Sequence, residues 1–155
     1  MRCFIPFLAI LLLACGQGSP PATPEADEVY TVFTNKQELI STERTSISTE
    51  PVATYREKLP DELNDWYFSV QVYETKHRFH YLMKIGYEEM RVTDTLKLPN
   101  LGIEPKLVLA KGPQPYSCRI SFYDHKNQLR EYKEVVFKNG KLKINVLQRY
   151  AVYNP

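Results

Sequence analysis

The sequence predicts an all-β fold, an antiparallel β-sandwich of about seven strands, and three observations carry that prediction. From Trp66 onward apolar residues recur at every second position, turn-forming residues separate these runs about every 8 to 12 residues, and no stretch keeps the three-and-four spacing of an amphipathic helix. At 155 residues the chain has room for one modest domain.

The strand candidates follow in order. Trp66, Phe68, Val70 and Val72 share one face, then Phe79, Tyr81, Met83 and Ile85, then Met90, Val92, Leu96 and Leu98. Leu107 and Leu109 begin a fourth run, and Cys118, Ile120 and Phe122 form a fifth. The sixth runs from Leu129 to Phe137 with a bulge, and the seventh takes in Leu142, Ile144, Val146, Tyr150 and Val152. Between them lie Thr75 to Arg78, Asn100 to Gly102, Gly112 to Pro115, Asp124 to Asn127 and Lys138 to Lys141. Asn139-Gly140 is the strongest hairpin signal, because a type I′ turn needs positive φ at both central residues. Short antiparallel strands in this rhythm fit an immunoglobulin-like or transthyretin-like sandwich over residues 66–155.

Residues 29–65 read as an irregular acidic segment. Val29 to Phe33 is β-like, Lys36 to Ile40 suggests a short helix, Pro51 and Pro60 interrupt longer elements, and Pro60 to Asp65 reads as a turn. Between Gly16 and Asp65 four Lys or Arg face ten acidic residues, whereas from Trp66 to Pro155 fifteen face eight. The net charge of +2 thus conceals an acidic leader on a basic body.

The chain opens with Arg2 and an apolar run from Phe4 to Ala14. That run is too short for a membrane span, which takes about 20 helical residues, and it reads as the apolar core of an export signal over residues 1–14. Leu12-Leu13-Ala14-Cys15 resembles the lipobox of bacterial lipoproteins, where signal peptidase II cuts before the cysteine. The resemblance implies that Cys15 becomes the first mature residue and carries the acyl chains that hold the protein to a membrane. Gly16 after that cysteine, by similarity to proteobacterial lipoproteins, implies delivery to the outer membrane of a Gram-negative bacterium. Residues 15–28, rich in Pro, Gly and small polar side chains, cannot bury enough surface to order themselves and read as a tether. Cys3 leaves with the signal and Cys15 takes lipid, so Cys118 remains alone, and its alternation with Ile120 and Phe122 marks a buried thiol.

The chemistry-bearing motifs of common enzymes are missing: no phosphate-cradling glycine loop, Gly-x-Ser-x-Gly elbow, Cys-x-x-Cys or His-Glu-x-x-His occurs. The reading is therefore non-enzymatic, with no cofactor and no metal. His77 and His80, with Glu74 and Asp94 as imaginable further ligands, stand three apart, and in a strand that spacing points them to opposite sides. His125 falls in a turn.

The basic surface is the better clue. With Cys118, Ile120, Phe122, Leu142, Ile144 and Val146 inward, Arg119, Tyr123, Arg130, Lys143 and Arg149 are expected to line one outward face, a composition suited to an anionic or protein partner. The chain thus reads as a membrane-anchored envelope lipoprotein, a protein-binding or scaffolding module whose partner is another envelope protein and not nucleic acid. In plan it resembles the outer-membrane lipoprotein of type VI secretion systems, a transthyretin-like sandwich. Two alternatives stand beside this: a carbohydrate or small-ligand module stacking sugars on Trp66 and surface tyrosines, and an inhibitor or immunity lipoprotein.

Overall fold

The computed structural model describes residues 30–34, 39–61 and 63–153. The export signal, the Leu12 to Cys15 junction and the tether lie outside these residues, as does most of the expected Lys36 to Ile40 helix. Among the described residues the fold is all-β, with ten strands in three sheets.

The strands are β1 (Tyr30–Thr34), β2 (Ala53–Lys58), β3 (Tyr67–Glu74), β4 (His80–Tyr87), β5 (Met90–Lys97), β6 (Leu107–Lys111), β7 (Ser117–Tyr123), β8 (Leu129–Lys138), β9 (Lys141–Val146) and β10 (Arg149–Tyr153). One four-stranded antiparallel sheet has the order β2-β3-β4-β5 and a second the order β6-β7-β8-β9, while β1 and β10 pair in parallel.

The count exceeds seven for two reasons. Residues 29–65, expected to be irregular apart from a β-like Val29 to Phe33, supply β1 and β2. Strand β2 escapes a search for apolar alternation because its inward residues are Ala53, Tyr55 and Glu57, only one of them large and apolar. The seventh candidate breaks in two at Leu147-Gln148. There a register shift leaves Tyr132 of β8 without a partner across the ladder, and its carbonyl instead accepts from the amides of Leu147 at 2.9 Å and Gln148 at 3.3 Å. The expected bulge thus also ends β9 and turns the chain into β10.

The turns follow their chemistry. Asn139 and Gly140 adopt φ of 53° and 71°, joining β8 to β9 by the expected tight hairpin. Asp124 organises the β7–β8 turn, its carboxylate accepting from the amides of Lys126 and Gln128, both at 2.8 Å. Asp61 does the same before β3, accepting from the amides of Leu63 at 2.8 Å and Asn64 at 3.2 Å.

The inner faces of the two four-stranded sheets contribute to one buried cluster: Phe68, Val70 and Val72 from β3, Tyr81, Met83 and Ile85 from β4, and Cys118, Ile120 and Phe122 from β7. Each of these side chains removes on the order of 2 kcal/mol of apolar surface from water. Contacts outside the cluster tie the sheets together: Lys111 to Glu57 at 3.0 Å, Tyr87 stacked on Phe137 at 3.5 Å, and the Tyr132 hydroxyl donating to the Lys97 carbonyl at 2.7 Å.

The segment before β2 is clasped to the β3–β4 turn by Arg44, whose side chain is only 6% exposed. Its guanidinium meets Glu74 and Glu104, each at 3.1 Å, and donates to the Tyr81 hydroxyl at 2.8 Å and to the carbonyls of Thr75 and His77 at 3.1 Å. A buried cation is tolerable only when surrounded in this way.

Candidate partner-binding face

Residues directly opposite in a ladder share a face, so register shows what the β2–β5 sheet presents outward. One row runs Arg56, Ser69, Gly86, Arg91, and the next runs Thr54, Gln71, Lys84, Thr93. Lys58 stands opposite Tyr67, Tyr73 lies in line with Leu82 and Thr95, and His80 stands opposite Lys97. Arg56, Lys58, Lys84, Arg91 and Lys97 are all exposed, and no strand position of this face is acidic. The sheet's acids, Glu57, Glu74 and Asp94, alternate to the other side.

Two tyrosines are set among the cations. The Arg56 guanidinium lies 4.0 Å from the centroid of the Tyr67 ring, and the Lys84 ammonium 4.5 Å from that of Tyr73. Such contacts are worth about 0.5–1 kcal/mol at exposed sites, enough to lay the long side chains flat on the sheet. Arg91 is held by the carbonyls of Glu88 and Met90, and its chain crosses the strip left open by Gly86. Acids appear at the rim, where Asp65 pairs with Lys58 at 3.3 Å and the Lys58 ammonium and Tyr67 hydroxyl hold its carboxyl below the usual range.

The residues expected to line a basic face are dispersed. Arg119, Tyr123 and Lys143 do share the outer side of the β6–β9 sheet. Arg130 does not, because beyond the Tyr132 bulge it stands opposite Phe122, on the core side, where Asp124 holds it at 2.8 Å. Arg149 lies on β10, in the separate two-stranded sheet. Arg119, moreover, pairs with Glu131 and stands opposite the buried Glu134, so the cation there is matched by acids.

His77 and His80 are not on opposite sides. The chain turns between them, the His80 amide donating to the His77 carbonyl at 3.0 Å, and the rings stack at 3.8 Å and 13°. Burial first, then His77 and Lys97, hold the His80 imidazole below its ordinary range. Glu74 is committed to Arg44 and the Ser48 amide, and Asp94 faces away from His80, so neither joins the pair. No group of three potential metal ligands occurs among the described residues. Cys118 is fully buried, and burial pushes its thiol up to about 12, which leaves it protonated and unreactive. Trp66 is half-buried before β3, its carbonyl accepting from the Leu59 amide at 3.0 Å.

Much of the acid-free face was present in the alternation itself: Tyr67 to Tyr73, His80 to Gly86 and Arg91 to Lys97 are the outward positions of three recognisable strands. What was missing was β2, which adds Arg56 and Lys58 and turns scattered cations into a surface. Comparison with protein-family models, curated proteins and solved structures finds no match to this chain.

Proposed function

We propose that this chain is a lipid-anchored, non-enzymatic binding or scaffolding protein of a bacterial envelope, with an immunoglobulin-like or transthyretin-like sandwich as its body. Its partner is an envelope protein that presents an acidic surface to the outer face of the β2–β5 sheet. One observation carries this reading: Arg56, Lys58, Lys84, Arg91 and Lys97 share an exposed face whose strand positions include no acid. Apart from Lys58, which meets Asp65 at the rim, these like charges are gathered without an ion-pair partner among the described residues, which costs free energy in the isolated protein and is relieved by an opposite surface that also speeds encounter. Arg and Tyr are the residues most enriched where proteins meet.

Membrane attachment rests on Leu12-Leu13-Ala14-Cys15. Cys15→Ser is expected to abolish acyl labelling and leave unprocessed precursor, and normal labelling of that variant rejects the anchor. For the partner, the full-length protein is used as bait on detergent-solubilised envelope. The expected result is one stoichiometric acidic protein, released progressively as salt is raised. Retention of glycan without protein, or of a protein whose binding ignores salt, rejects the proposed face.

A further inference from the structure

We propose that a second site, a cleft of about 340 Å³ between β1 and the β7–β8 turn, binds a small carboxylate that carries an apolar body. This goes beyond the docking face and stands on different residues. The volume lies in the range that small-ligand sites occupy.

The cleft's walls divide by chemistry. Phe33 and Val32 line the cleft along β1, the Phe33 side chain buried on the inner side and the Val32 side chain, alternating to the other side, 53% exposed. Arg130 and Lys126 supply a cationic rim, with the His125 ring beside them. The one acid in the lining, Asp124, is already saturated. Its carboxylate accepts from the amides of Lys126 and Gln128 and from Arg130 Nε, each at 2.8 Å, and pairs with Arg130 Nη2 at 2.8 Å. Burial raises its proton affinity, but the donors outweigh that and hold the carboxyl below its usual range, so it stays ionised and orients Arg130 without competing for a cationic ligand.

Arg130 is therefore a positioned cation. Nε and Nη2 are taken by Asp124 and Gln128, while Nη1 has no hydrogen-bond partner among the described residues. The guanidinium carbon lies 5.6 Å from the centroid of the Phe33 ring, and His125 meets the same ring edge-on at 6.0 Å. A carboxylate reaching Arg130 and Lys126 would lay its attached body along Phe33 and Val32. The two halves together select an apolar acid: an inorganic anion leaves Phe33 and Val32 uncovered, and a neutral apolar molecule leaves the rim unmatched.

The test titrates 3-phenylpropionate into ¹⁵N-labelled full-length protein, with 3-phenylpropionamide and inorganic phosphate as controls. The expected result is saturable shifts of amides in residues 31–33 and 124–130 with the acid, and affinity at least about tenfold weaker for either control. Lys126→Gln, at an exposed side chain, should weaken the acid by about threefold, and Arg130→Gln by about tenfold or more, since a charge-assisted bond is lost. Should Arg130→Gln fail to fold for want of the Asp124 pair, Lys126→Gln and Val32→Asp decide the matter. Absence of saturable shifts at millimolar acid, shifts centred elsewhere, equal binding of phosphate, or unchanged affinity in both of those variants overturns the site.

Discussion

The two four-stranded sheets present outer rows that differ in where the charge stands. In the β2–β5 sheet a row reads Arg56, Ser69, Gly86, Arg91, with cations on the two edge strands and the smallest side chains between them. In the β6–β9 sheet the corresponding row reads Ala110, Arg119, Glu134, Asn145, with cation and acid side by side in the middle. There Arg119 is matched by Glu131, and Ser117, Ser121 and Glu134 on that side are buried. Separated edge cations leave their field directed outward. Cation number matters less than register.

The largest expected difference between the faces is in tolerance to an added methyl. At Gly112, beside the sealed face, a Cβ would stand 2.2 Å from the Ser117 hydroxyl oxygen, which the Gln114 amide and carbonyl hold in place, 2.9 Å from Ser117 Cβ and 3.1 Å from the buried Glu134 Oε1. Gly112→Ala should cost about 2–3 kcal/mol in denaturant unfolding. At Gly86, on the open face, the added atom meets the Ser69 hydroxyl, which can rotate, at 2.9 Å and the Arg91 side chain at an ordinary contact distance of 3.5 Å. Gly86→Ala should cost under about 1 kcal/mol. Equal costs would break the contrast between a sealed and an open surface.

The next effect is on binding. Arg56→Glu with Lys84→Glu should weaken capture of the envelope partner by about tenfold at low salt and flatten its salt dependence, whereas Arg119→Glu with Lys143→Glu should change it less than about twofold. The first pair should alter stability little, because Arg56 and Lys84 are exposed, whereas Arg119→Glu removes the Glu131 pair beside the buried Glu134 and should destabilise the fold. A reversal of that order would transfer the docking role to the β6–β9 sheet.

The smallest effect comes from pH. His80 stands on the open face opposite Lys97, and its imidazole is held below the ordinary value near 6.5. The folded state therefore favours the neutral ring, and as pH falls below about 6.5 the unfolded chain takes up the proton first, so stability declines until the folded value is passed. The thermal midpoint should drop slightly on going from neutral to mildly acidic buffer, and His80→Gln should remove that part of the drop. A midpoint that rises over the same window would mean that the ring gains a partner on folding.

How much of this was legible in the sequence follows from what each inference needed. Alternation alone located the strands from Tyr67 onward and gave the inward sets Phe68-Val70-Val72 and Cys118-Ile120-Phe122, since both are continuous apolar patterns. Asn139-Gly140 fixed its hairpin through local conformational preference. Strand β2 was hidden because an edge strand needs few large apolar residues, and Ala53-Thr54-Tyr55-Arg56-Glu57-Lys58 carries few. The expected basic face loses Arg130 to the core side and Arg149 to the separate two-stranded sheet. The sequence suggested a bulge in β8 without placing it at Tyr132, and a one-residue slip there moves Arg130 to the other side. The stacking of His77 on His80 depended on a turn where strand spacing no longer applies.

Strand β1 lies parallel to β10, with Tyr30 opposite Arg149 and Thr34 opposite Tyr153. The arrangement has a mechanical meaning. A pull along the strand on the residues preceding Tyr30 loads the evenly spaced rungs of a parallel ladder in shear, all five register pairs at once, where a hairpin pulled at its open end would yield one rung at a time. The load then passes from β10 through Leu147 and Gln148 to the Tyr132 carbonyl, and so into the middle of the β6–β9 sheet. Tension on the residues before Tyr30 is thus expected to reach the β1–β10 pair before the two four-stranded sheets.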